Sequence, residues 1–168
     1  MVTLAKTDKD AKIRGDIAAG LREGVTGKSG RAANNCKLWS EMLDEPDQPF
    51  TGKVAWLLAE NEDCVSHWDN LLRKLDALVT AGKVQPPMGG IACDLHGQKR
   101  AKPEQKTRVL EIAKKLIESD KSPTDQRTRA LQCVVGFDPE GKTFAARFVD
   151  SPVAGLKSEA VRATTAKP

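Results

Sequence analysis

The two histidines of this chain each follow a cysteine by three positions, in Cys64-Val65-Ser66-His67 and Cys93-Asp94-Leu95-His96. Together the two pairs hold the four nitrogen and sulfur donors of a tetrahedral zinc site. Positions three apart on a helix share a face, which suits chelation by Cys64 and His67. Zinc bound by Cys64, His67, Cys93 and His96 would staple a Gly-flanked stretch to the helix before it. The competing reading is simpler: Cys64 falls on an apolar stripe and His67 at its edge, which are ordinary places for core residues. The first expectation is therefore no cofactor, with zinc as the alternative.

Other chemistry is sparser. A Cys-His nucleophile could be built from Cys93 with either histidine, but no oxyanion-stabilising group is marked beside it. Gly27-Lys28-Ser29 has the end of a phosphate loop, yet the glycine required five positions earlier is Arg22. A helix precedes that stretch where a phosphate loop needs a strand, so it reads as a Gly-rich linker. With no catalytic constellation, the chain is expected not to be an enzyme.

Charge is sorted along the chain. Residues 40–69 carry eight acidic side chains against one basic, and residues 99–129 carry ten basic against five acidic. The first group supplies a candidate partner-binding set: Glu41, Asp44, Glu45, Asp47, Glu60, Glu62 and Asp63. The second supplies Lys99, Arg100, Lys102, Lys106 and Arg108, a footprint for nucleic acid. No aromatic residue is interleaved there in sequence, so base stacking is not indicated. Both groups also fit ordinary solvated faces that neutralise one another.

The element that organises the chain is a helix beginning near Asn61. Val65, Trp68, Leu72, Leu75 and Val79 are spaced three, four, three and four apart, and Leu71 and Leu78 widen the stripe. Gly82 follows as a C-cap. Before it, Ile13, Ile17 and Leu21 mark a first helix. Cys36, Trp39 and Leu43 mark a second over 31–43, and Thr51 caps a third over 53–59. Residues 85–97 carry paired Pro and paired Gly and read as irregular. Pro103 opens a helix with Val109, Leu110, Ile112, Ala113, Leu116 and Ile117 on its apolar face. Ser122-Pro123-Thr124-Asp125 caps a short helix ending near Ala130. Residues 132–137 and 143–149 flank Asp138-Pro139-Glu140-Gly141, which predicts a β-hairpin with Phe144, Ala146 and Phe148 on one face.

Residues 53–84, a helix, a turn, a longer helix and an extended segment, resemble a winged-helix module. That resemblance implies a helix that reads bases. Glu62, Asp63, Asp69 and Asp76 depart from it, since phosphates would repel them.

The expected fold is mainly α, within the α+β class: five or six short helices around a central amphipathic helix, with one C-terminal β-hairpin. Residues 1–30 would form an N-terminal helix and linker, 31–150 the core, and 151–168 a flexible tail. The start MVTLAKTDKD lacks the apolar run of a signal peptide. No apolar stretch approaches the roughly 18 residues of a membrane span. A cytoplasmic protein with reduced or metal-bound cysteines is expected, making no membrane contact. The expected function is non-catalytic binding of a macromolecule, first another protein. The alternative is a nucleic-acid-binding regulator.

Overall fold

The computed structural model describes residues 32–44 and 51–165. The expected first helix, the Gly-rich linker, Glu45 and Asp47 lie outside the described residues. Those described form eight α-helices and no strand. They are α1 (Ala32–Met42), α2 (Thr51–Glu60), α3 (Trp68–Thr80), α4 (Ile91–Gly97), α5 (Pro103–Glu118), α6 (Thr124–Phe137), α7 (Gly141–Ala146) and α8 (Ala154–Thr165). Two 3₁₀ turns, Glu62–His67 and Met88–Gly90, lead into α3 and α4.

Helix α3 packs against α2 and α5, whereas α6, which touches α4, α5, α7 and α8, holds the central place expected of α3. Trp68, Leu71, Leu72, Leu75 and Val79 are all buried, as the stripe requires. The α-helix starts later than its periodicity suggests. Asn61 Oδ1 accepts the Asp63 backbone N–H, so Asn61 caps the 3₁₀ turn and the α-helix begins at Trp68. The fully buried Trp68 indole donates to the Leu58 carbonyl at 2.7 Å, satisfying an orphan acceptor in the last turn of α2. At the far end Gly82 has φ +68°. Its N–H bonds the Val79 carbonyl at 3.0 Å, and the Lys83 N–H bonds that of Leu78 at 2.8 Å. This is the paired C-terminal closure that glycine makes possible. No strand follows α3, so the winged-helix outline has no wing among the described residues.

The predicted hairpin is absent. Residues 132–137 continue α6, and residues 143–149 contain the end of α7 and the turns after it. The burial pattern gives the reason. Phe144 and Ala145 are buried, Phe148 is half-buried and Ala146 is exposed, which is helical spacing. The turn between them exists but joins two helices. The Asp138 carboxylate accepts the Glu140 N–H at 2.8 Å, and the Asp138 carbonyl accepts the Gly141 N–H at 2.9 Å. Gly141 serves close packing: a Cβ there would lie 2.3 Å from the Val134 carbonyl oxygen.

Two further segments differ from expectation. Residues 88–97 are helical. A Cβ on Gly89 would lie 2.3 Å from the Gln126 carbonyl oxygen, so this glycine admits α6 and does not loosen the chain. Residues 154–165, expected as flexible tail, form α8, which buries Leu156, Glu159, Ala160 and Ala163 against α6 and α7. Its stripe is made largely of alanine, so the periodic signal is faint.

All four cysteines are in disulfides. Cys36–Cys64 ties α1 to the first 3₁₀ turn, and Cys93–Cys133 ties α4 to α6. The expectation of reduced or metal-bound cysteines is corrected accordingly.

Candidate functional site

The zinc set is not assembled in this state. Cys64 and Cys93 are each bonded to another cysteine, so neither offers a thiolate as ligand or as nucleophile. Among the described residues no group of three or more His, Cys, Asp and Glu is arranged to hold a metal. His67 sits at the junction before α3. His96, in the last turn of α4, packs its ring on Phe137 with centroids 4.6 Å apart. Burial pushes the His96 imidazole below its ordinary range, and the Lys106 charge adds to this.

The acidic and basic segments meet. Glu62 Oε1 accepts the Lys99 backbone N–H at 2.8 Å, and Asp63 pairs with Arg100 at 3.3 Å. Gln98 Nε2 donates to the carbonyls of Ala59 at 3.1 Å and Glu60 at 2.8 Å, closing the seam. Asp69 accepts from Gln105 at 2.9 Å, and Asp76 pairs with Lys115 at 2.8 Å. Asp44 turns to α3, where Lys74 lies at 2.8 Å and Arg73 at 3.7 Å. Glu41 is half-buried on α1. The two segments therefore touch at the 62–63 and 99–100 seam, where one ion pair, Asp63–Arg100, joins them.

The basic run is also partly spent. Lys114 pairs with Asp138 at 2.6 Å. Arg127 is buried, and its Nε donates to the Ile117 carbonyl at 2.8 Å, closing the C-terminal turn of α5. Arg129 donates to Gln132 at 3.0 Å. What is left is the N-terminal end of α5 and the turn before it. Lys99, Lys102 and Arg108 are exposed and Lys106 is half-buried. Among the described residues no carboxylate forms an ion pair with these four side chains. Lys102, Lys106, Leu110 and Lys114 follow one another at steps of four, so they form one row along α5.

One polar cluster has no counterpart in the sequence reading. Asp94 of α4 is half-buried between α2 and α6. Burial raises its carboxyl above the usual carboxylate range, and the neighbouring Glu60 charge raises it further. A hydrogen bond from Trp56 and the charge of Arg129 pull the other way. From Arg129 the contacts continue through Gln132 to the buried Glu159, which accepts from Gln132 at 3.3 Å and from Arg162 Nε at 3.1 Å. The one sequence signal for this cluster was an acid inside an otherwise apolar turn, Ile91-Ala92-Cys93-Asp94-Leu95.

The described residues form an all-helical unit cross-linked by two disulfides. Among the described residues no helix is long and apolar enough to cross a membrane. No protein-family model matches the chain, and neither curated proteins nor solved structures give a significant match.

Proposed function

We propose that this chain is a non-catalytic binding protein that works in an oxidising compartment and recognises an acidic surface on another protein. Lys99, Lys102, Lys106 and Arg108 form the contact. The observation that carries the reading is what remains after internal pairing: the described acids at the 60–63 seam and on α3 are largely engaged, while these four cations form no ion pair among the described residues. A surface of this kind contributes association rate and specificity. The two disulfides support an oxidising compartment, since such bonds persist where thiols are not kept reduced. This reading departs from the cytoplasmic expectation.

The test uses polyglutamate as a minimal acidic protein surface. Wild-type protein should bind it with affinity that falls steeply as salt rises. Reversing Lys99, Lys102, Lys106 and Arg108 to Glu should abolish the binding, while reversing Asp44 and Asp76 to Lys should not. Binding unaffected by the first set of changes would sink the proposal.

A further inference from the structure

Phe137 is one of two large apolar side chains that stand exposed among the described residues, at 39% of its full exposure; the other, Val161, is on α8. A single exposed apolar residue is ordinary. The surroundings of this one are not. One face of its ring is packed against His96, which lies within reach of the Lys106 charge. The next residue, Asp138, is held by Lys114 at 2.6 Å, so the end of α6 lies beside the Lys102-Lys106-Leu110-Lys114 row of α5. Lys106 and Lys114 are about 12 Å apart along the helix at 1.5 Å per residue. An apolar ring thus sits near the Lys114 end of this row, and Lys106, whose charge reaches His96, lacks an acidic partner among the described residues.

Deepening the binding reading above, on which it rests, we infer that His96, Phe137 and Lys106 form one recognition patch for an acidic segment of a protein partner. The segment's carboxylates meet Lys106, and one of its apolar side chains lies on the open face of Phe137. Charge complementarity selects the acidic partner. The aromatic count selects protein over single-stranded nucleic acid. Non-specific strand binding uses successive stacking platforms. Here a single ring is offered, and His96 already covers one of its faces. Apolar anchors bordered by charged groups are where protein interfaces concentrate their affinity.

The experiment compares three probes: a peptide of alternating Glu and Leu, its counterpart with Ser for Leu, and oligo-thymidylate. Wild type should bind the Glu/Leu peptide roughly tenfold more tightly than the Glu/Ser peptide, the scale for partly burying one apolar side chain. Phe137→Ser should erase that preference and keep salt-sensitive binding to both peptides. Phe137→Tyr keeps the ring and should keep the preference, which separates loss of the patch from loss of folding. Equal affinity of wild type for the two peptides, or a preference that survives Phe137→Ser, overturns the inference while leaving the cationic surface standing. Tighter binding of oligo-thymidylate than of either peptide, weakened by Phe137→Ser, overturns it in favour of nucleic acid. Failure of all three probes to bind removes both the patch and the binding reading beneath it.

Discussion

Mild reductant applied to the folded protein should open the two disulfides in a fixed order. Cys36 and Cys64 are 1% and 0% exposed, so an attacking thiolate has no approach to either sulfur. Cys133 is equally sealed, but Cys93 is half-buried at the edge of the short helix α4. Exchange needs direct access to a sulfur. Cys93–Cys133 should therefore be reduced from the native state, whereas Cys36–Cys64 should wait for unfolding. The energetic effect follows from the chain closed by each bond. The separations are 28 and 40 residues. Loop-closure entropy then gives each bond about 4 kcal/mol of stabilisation. Opening the second bond should lower unfolding stability by about that amount. Timed alkylation followed by peptide mass spectrometry reads the order, and urea unfolding of the half-reduced species reads the magnitude. Simultaneous reduction of both bonds, or prior loss of Cys36–Cys64, would refute the reasoning from access.

Three other outcomes can be checked directly. Trp68→Phe removes the indole N–H that donates to the Leu58 carbonyl in a fully buried site and leaves a small void; urea unfolding should show a loss of about 2–4 kcal/mol. Gly136→Ala meets open space at an exposed position of α6, so it should stabilise by about 0.5–1 kcal/mol, whereas Gly141→Ala drives a Cβ against the Val134 carbonyl and should destabilise by about 1–3 kcal/mol. A β-hairpin at these positions would give no helical gain at Gly136. Asp94→Asn should raise the thermal midpoint at neutral pH. The folded-state carboxyl titrates above its ordinary value of 3.8, so Asp94 favours folding below that value and loses this contribution as pH rises through the raised one. The amide keeps an acceptor for Trp56, and its advantage should vanish in melts run below pH 3.8.

Helix α3 was legible because a wide apolar stripe at helical spacing has one reading, and Gly82 closes it. Pro103 marked α5 equally well, at the first position of the helix. The C-terminal half was harder. Phe144, Ala146 and Phe148 fit a period of two, while Phe144 and Phe148 also fit one helical turn, and burial of Ala145 decides between them. Gly89 and Gly141 look like turn residues, yet each is required by a backbone oxygen of another helix that only the folded chain brings near. Helix α8 buries two alanines for one leucine, so its stripe barely departs from the mean. Linear order does not say that residues 62–63 and 99–100 touch, so their contact was not legible in the charge pattern. The cysteine pairing was not legible because each bond joins residues 28 or 40 positions apart, a separation that leaves no local pattern.

The two disulfide loops, 36–64 and 93–133, follow one another without overlapping. The chain is therefore covalently two rings in series, joined by a single strand of backbone that includes all of α3 and the Lys83–Gln85 stretch. One peptide-bond cut in that bridge would leave the halves associated by packing alone, and denaturant without reductant would part them. A cut inside either ring would leave one covalent molecule.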